Sequence, residues 1–366
     1  YLDGGSGDDR FEGGYGDDTF LVDKLSENIK EIAGQGNDWV QSDKINLDLG
    51  TQGNWVDIEN ARLTGSSNLN ISGRETDNTL IGNKGINVLD GGDGIDTLEG
   101  GLGNDTYVVD TTTDKLNEVN NELNNKGEIK DGWIDTVQSE ITFDMSKLFN
   151  FENLSLTGST SINGTGNLNN NEIRGNDSIN LLKGLAGNDI LDGAGGVDTL
   201  MGGTGDDTYR LSNDGDIIKE LAGEGTDTIE IQNTFSLSSP NLKNNIENLT
   251  LMGTIAIDGT GTNGNNVLTG NSASNMLTGL SGADTLIGKD GADSLIGGKG
   301  TDILDLTESK ADKDVVRFAL GDSIASANEA DNVIKFALFY DALDLAGTIK
   351  IAANSTMLYQ PNDVAW

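Results

Sequence analysis

The sequence predicts an all-β chain, a parallel β-solenoid whose thin core repeats along its axis. Three observations carry this expectation. A nine-residue phrase recurs in tandem, as GGSGDDRFE from Gly4, GGYGDDTFL from Gly13, GGDGIDTLE from Gly91, GGLGNDTYV from Gly100 and GGTGDDTYR from Gly202. Hydrophobic residues make up 35% of the 366 and aromatics only 5%, too few for a conventional thick core. Glycine, at 51 residues, is about twice its usual roughly 7% share, and proline is only 2. Such a chain makes many tight turns that need positive φ, which glycine adopts at little cost.

Taken in order, the elements alternate between two kinds. A truncated first cluster occupies 1–22, a spacer 23–72, the second cluster 73–108, a spacer 109–165, the third cluster 166–210, a spacer 211–260 and the fourth cluster 261–305. The start at Tyr1-Leu2-Asp3 reads as the tail of an earlier nonapeptide, so an upstream part is expected. Frames begin at Gly73, Gly82, Gly91 and Gly100, then at Gly166, Gly175, Gly184, Gly193 and Gly202, then at Gly261, Gly270, Gly279, Gly288 and Gly297, with no slip of phase inside a cluster. Position eight is large and apolar (Phe11, Phe20, Leu98, Tyr107, Leu191, Leu200, Tyr209, Leu286, Leu295, Leu304) and is expected to form an inward ladder.

The spacers resemble one another. Each runs through an acidic, apolar-rich stretch containing Glu31, Glu118 or Glu220, then a β-type segment (Asp38-Trp39-Val40, Asp135-Thr136-Val137, Asp227-Thr228-Ile229). Each closes on a Glu-Asn phrase at Glu59-Asn60, Glu152-Asn153 or Glu247-Asn248, followed by period-two alternation that argues for strands with one buried face. The chain is thus a repeat of roughly 100 residues with a nine-residue repeat nested inside. The spacer acids Glu31, Glu118 and Glu220 read as solvated or capping groups, and Trp39, Trp55 and Trp133 as packing residues. Residues 306–366 lose the glycine phrase and read as the cap that covers a solenoid's last apolar layer.

Position six changes character along each complete cluster. It is Asn in the opening frames (Asn78, Asn87; Asn171, Asn180; Asn266, Asn275) and Asp in the closing ones. An Asn there can bond neighbouring turns as a neutral ladder, whereas an Asp brings a charge that calls for a cation. Glycine turns that aim carbonyls inward, joined to a hard carboxylate oxygen, suit calcium, which takes six to eight oxygens at about 2.3–2.6 Å. Transition metals favour imidazole or thiolate, and the chain has neither histidine nor cysteine.

Composition narrows function by exclusion. A net charge of −37, from 60 acidic against 23 basic residues, leaves no basic stripe for nucleic acid. Without histidine or cysteine there is no Ser-His-Asp triad, Cys-His pair or HExxH site, so no enzyme is expected within these residues. No apolar run is long enough to span a membrane.

From residue 1 to about 305 the chain resembles the RTX (repeats-in-toxin) family, whose signature is this G-G-x-G-x-D-x-U-x phrase. The resemblance implies a calcium-binding β-roll in which two nonapeptides make one coil and an ion sits between turns two frames apart. The implied metal residues are Asp9 and Asp18; Gly91, Asp96, Gly100 and Asp105; Gly184, Asp189, Gly193, Asp198, Gly202 and Asp207; and Gly279, Asp284, Gly288, Asp293, Gly297 and Asp302. Asp189 would share an ion with the turn carrying Asp207, and Asp284 with that carrying Asp302, while Asp198 and Asp293 build the opposite edge. The resemblance also implies type I secretion from a Gram-negative bacterium, guided by a C-terminal signal such as Asn362-Asp363-Val364-Ala365-Trp366. The expected role is a secreted surface scaffold (an S-layer subunit, matrix fibre or adhesin) that self-associates or binds cell-surface polysaccharide. The alternative is the carrier region of a secreted enzyme or toxin whose catalytic part lies upstream.

Overall fold

A computed structural model describes residues 1–31, 34–51, 55–118, 133–212, 215–239, 242, 245–309, 312–318, 332–334 and 342–345. Every regular element among them is a strand, and every strand pairing is parallel. The protein is a parallel β-solenoid. It divides into two compact units, Tyr1–Gly203 and Thr204–Trp366.

In the first unit one sheet has the strands Leu2–Asp3, Thr19–Leu21, Trp39–Ser42, Asn60–Leu63, Thr79–Ile81, Thr97–Glu99 and Lys115–Asn117, in that order. A second sheet interleaves with it in sequence and includes Ile71–Ser72, Val88–Asp90, Thr106–Val109, Thr136–Ser139, Asn153–Leu156, Glu172–Arg174 and Ile190–Asp192. Leu80 lies beside Leu98 in the first and Leu89 beside Tyr107 in the second. Partners are therefore two frames apart, and successive nonapeptides fall on opposite faces. In the second unit the strands Thr208–Leu211, Thr228–Ile231, Asn248–Leu251, Val267–Thr269, Thr285–Ile287 and Ile303–Asp305 follow the same rule.

The apolar residue at position eight makes the core. Phe20, Leu98, Tyr107, Leu191, Leu200, Tyr209, Leu286, Leu295 and Leu304 are all fully buried. Burying one leucine this way is worth about 2 kcal/mol, and the narrow section is filled by repetition. The spacers continue the ladders: Phe20 stacks on Val40, then Ala61 and Leu80, and Tyr107 stacks on Val137, then Leu154 and Ile173. Trp55 is buried and its indole N–H donates to the Glu27 carbonyl at 3.0 Å, so it packs as expected.

Two observations differ from the sequence expectation. Glu31 and Glu220, expected to be solvated or capping groups, are buried, and Glu118 is half-buried. Position two of the turn holds a left-handed backbone even where glycine is absent, at Leu185, Ala194, Leu280 and Lys289 (φ 61–89°). A side chain in that region costs about 1 kcal/mol or more, which the coils on either side must offset.

At the C-terminal side, Val315–Phe318, Asn332–Ile334 and Ala342–Leu345 extend the second unit's two sheets in parallel register. The expected signal at Asn362–Trp366 lies outside the described residues. No helix among the described residues is long and apolar enough to cross a membrane.

Candidate metal centre

The turns build a stack of oxygens from three residue types. At position one, glycine is required by close approach: a Cβ on Gly91 would overlap the Asp96 carboxylate, and one on Gly279 would overlap that of Asp284. The same point is met by a carbonyl from the next coil. It lies 2.7 Å (Gly202 O) from a Cβ placed on Gly184, and 2.6 Å (Gly297 O) from one placed on Gly279. A carboxylate oxygen and a backbone carbonyl oxygen thus converge over Gly184 and over Gly279.

The position-six carboxylates are divided in their duties. Oδ1 of Asp96 accepts the Asn78 N–H at 2.7 Å, Oδ1 of Asp105 accepts that of Asn87 at 2.7 Å, Oδ1 of Asp284 accepts that of Asn266 at 2.8 Å and Oδ1 of Asp293 accepts that of Asn275 at 2.7 Å. The Oδ2 atoms of these four aspartates are buried and have no hydrogen-bond partner. Burial pushes the carboxyls of Asp96, Asp105, Asp189 and Asp284 up to about 7 and that of Asp293 up to about 8; the hydrogen bond from the neighbouring backbone N–H only partly offsets this. A neighbouring carboxylate one coil on adds to the rise at Asp105 (from Asp135), at Asp284 (from Asp302) and at Asp293 (from Asp314).

The asparagine frames have a different balance. Oδ1 of Asn78 accepts the Arg74 N–H at 2.6 Å, and its Nδ2 donates to the Glu59 carbonyl at 2.7 Å. Asn180 does the same with Asn176 N–H at 2.9 Å and the Ile162 carbonyl at 2.6 Å, and Asn275 with Asn271 N–H at 2.8 Å and the Ile257 carbonyl at 2.6 Å. These turns satisfy themselves as a neutral ladder. Aspartate turns leave a buried anionic oxygen that only a cation can satisfy, and the donor set of carboxylate plus carbonyl is that of a hard divalent ion.

Most of the expected ligands fall into this arrangement. Asp96, Asp105, Asp189, Asp198, Asp284, Asp293 and Asp302 are buried over Gly91, Gly100, Gly184, Gly193, Gly279, Gly288 and Gly297 respectively. Asp284 and Asp302 are brought together, the Asp284 N–H donating to Asp302 Oδ1 at 2.9 Å. Asp207 is buried in the second unit, and its N–H donates to Asp227 Oδ1 at 2.9 Å. Asp9 sits over Gly4 and, like Asp18, is only half-buried.

Sequence reasoning missed the acids that carry the ladder onward. Asp18 N–H bonds Asp38, and Asp38 N–H bonds Glu59, both at 2.8 Å. Asp105 N–H bonds Asp135 at 2.7 Å, and Asp135 N–H bonds Glu152 at 2.8 Å. Asp227 N–H bonds Glu247 at 2.9 Å. Asp114 and Asp314 take the N–H of Asp96 at 3.0 Å and of Asp293 at 2.8 Å. The available signal was the Asp-x-Val/Ile form of the spacer segments, which copies the Asp-x-U ending of the nonapeptide.

Comparison with known proteins agrees with the geometry. The family model of the RTX calcium-binding nonapeptide repeat (4 copies) matches residues 1–23, 72–107, 165–209, 260–293 and 278–307. No curated protein matches the chain. The chain thus carries four copies of the RTX calcium-binding nonapeptide repeat, folded as a parallel β-roll with buried aspartate ladders.

Proposed function

We propose that the protein is a secreted scaffold that folds on meeting calcium outside the cell and works at a bacterial surface or in its matrix, as an S-layer subunit, fibre or adhesin. The observation that carries this reading is the set of buried Oδ2 atoms without hydrogen-bond partners in Asp96, Asp105, Asp284 and Asp293. In a calcium-poor cytosol these charges, within a chain of net charge −37, oppose compaction and keep the chain in an export-competent form. In millimolar external calcium, ion binding to the folded state alone becomes folding free energy. Type I export from a Gram-negative cell fits such a chain.

A scaffold rather than an enzyme is favoured by the spacers, whose described strands and acids extend the same ladders. The chain carries no catalytic role in this reading, its clustered carboxylates being committed to the ladder and to calcium. Self-association or attachment to surface polysaccharide would then run along the solenoid's outer faces.

The test is a calcium titration of the chelator-stripped chain, followed by circular dichroism and by electron microscopy of the loaded protein. Gain of β-signal with calcium, and sheets or fibres on the grids, are expected. A β-signal unchanged by chelation would remove the folding trigger; monomers that stay dispersed would leave the carrier role for a separate catalytic part instead.

A further inference from the structure

In each of the first three nonapeptide blocks, one of the columns of position-one glycines leads, in sequence, to a glutamate at the exit. Residues two frames apart share a column, and the step from Gly82 to Gly100 leads next to Glu118. Strand Lys115–Asn117 pairs with Thr97–Glu99, Asn117 lying beside Glu99, so Glu118 follows in register with Gly100. The same step leads from Gly13 to Glu31, where Lys30 lies beside Glu12. In sequence it also leads from Gly202 to Glu220.

The consequence for the turn below is direct. Inside a block the column must be glycine because the position-six carboxylate fills the space a side chain would need. At the exit a side chain is present, and it turns towards that carboxylate. Beside a Cβ placed on Gly100 lie Asp105 Oδ2 at 2.5 Å and Glu118 Oε1 at 2.6 Å. Carboxylate oxygens of Asp105, Glu118 and Asp135 all lie within 4.8 Å of one another, and so do those of Asp18, Glu31 and Asp38. Asp105 is 1% exposed, and its Oδ2, aimed into this group, has no hydrogen-bond partner.

The glutamate is held there. The Tyr107 hydroxyl accepts the Gly100 N–H at 2.6 Å and donates to Glu118. Tyr209 bonds Glu220 in the same way, again eleven residues on. At the first exit Phe20 replaces the tyrosine, and Glu31 Oε2 accepts the Gly14 N–H itself at 3.0 Å. Three carboxylates fixed around one point offer the hard oxygen donors that a divalent ion such as calcium takes.

We infer that Asp105, Glu118 and Asp135 form a junction calcium site, distinct in composition from those inside a block, with a counterpart at Asp18/Glu31/Asp38 and, from the same sequence step and the bonds Asp207–Asp227 and Tyr209–Glu220, at Asp207/Glu220/Asp227. The spacer glutamate replaces the carbonyl that the next nonapeptide would have supplied. It adds a third negative charge, and ligand charge is one of the quantities that set calcium affinity. The first two of these sites bind the first coil of the following spacer to the block before it. The inference rests on the calcium-folding reading above.

Isothermal titration of the chelator-stripped full chain with calcium tests it, comparing the native protein with Glu118→Gln and Glu220→Gln. Glu140→Gln, an exposed acid, is the control. Glutamine keeps the shape and can still accept from the tyrosine, so each variant is expected to fold in calcium. Each should bind one ion fewer, or bind one ion at least about tenfold more weakly, while the control binds as the native chain does. Unchanged number and affinity in both glutamate variants would overturn the junction site while leaving calcium-driven folding intact. A native chain that takes up no calcium would overturn both. Should Glu118→Gln fail to fold, Glu220→Gln decides the matter at an independent junction.

Discussion

The backbone N–H of Asn78 donates to Oδ1 of Asp96, one coil away, at 2.7 Å. This one contact joins the two kinds of turn. Asn78 meets its remaining needs with the Arg74 N–H and the Glu59 carbonyl. Asp96 has spent one oxygen on Asn78 and holds the other buried and anionic. The neutral end of each complete block is satisfied without an ion, and the charged end is destabilised until one binds.

Exchanging the two residue types should therefore reverse sign with calcium. Asp96→Asn keeps the acceptor for Asn78 and removes a buried unpaired charge. In chelator it should stabilise the second block by about 1–3 kcal/mol. In saturating calcium it should lose one ion and be less stable than the native chain. Asn78→Asp should do the opposite in chelator, because its second oxygen would face the Glu59 carbonyl. Urea denaturation with and without calcium reads both; a variant that moves the same way under both conditions would count against the divided role of the ladder.

Glycine at position one has a cause separate from backbone conformation. Gly91 does not carry a positive φ, yet an added Cβ would enter the Asp96 carboxylate. Gly223, by contrast, has φ of 83° with open space around it. Gly91→Ala should cost about 2 kcal/mol or more and weaken calcium uptake, whereas Gly223→Ala should cost only about 1 kcal/mol and leave uptake alone. Equal costs with equal calcium affinity would show that the crowding at Gly91 is not tied to the ion.

Much of this was legible in the sequence, and what escaped did so for a physical reason. The unbroken frame gave the strands, the ladder from Phe20 to Leu304 and the change from Asn to Asp. It could not follow the ladder into the spacers, because the step there is no longer fixed. Asp105 to Asp135 spans 30 residues and Asp18 to Asp38 spans 20, where Asn78 to Asp96 spans 18. Lengthening a loop by many residues carries only a small entropic cost, so one coil absorbs an insertion that destroys the sequence period. The burial of Glu31 and Glu220 escaped for a related reason. An acid in an irregular stretch looks solvated, and only column counting, as from Gly13 to Glu31, places it over a turn.

Acid should substitute in part for calcium. The carboxyls of Asp96, Asp105 and Asp284 stand near 7 in the metal-free fold, against an ordinary value of 3.8. Between those values the folded state holds more protons than the unfolded one, so metal-free stability falls as pH rises through the window. Below the ordinary carboxylate range this penalty vanishes, and the chain's net charge is also relieved. In chelator, β-type circular dichroism should therefore be stronger at pH 4 than at pH 8, with the difference abolished by saturating calcium. A stronger signal at pH 8 in chelator would contradict the burial of these groups.

Tyr107 and Phe20 occupy equivalent ladder positions with different consequences. The Tyr107 ring is buried and meets Phe151 edge-on, with centroids 5.0 Å apart. Its hydroxyl links the Gly100 N–H to Glu118. Tyr107→Phe keeps the ring and deletes that link, leaving a buried N–H and a carboxylate to find new partners. Phe20 shows what the relaxed form requires, since there Glu31 accepts a turn N–H directly from Gly14. If Glu118 cannot make the same move, Tyr107→Phe should destabilise the calcium-loaded chain by about 1–2 kcal/mol. The reverse substitution, Phe20→Tyr, introduces a hydroxyl where Glu31 already holds its N–H, and it should gain nothing. Urea midpoints in saturating calcium distinguish the two. A loss in Phe20→Tyr matching that in Tyr107→Phe would mean the rings, rather than the hydroxyl links, set the stability of the exits.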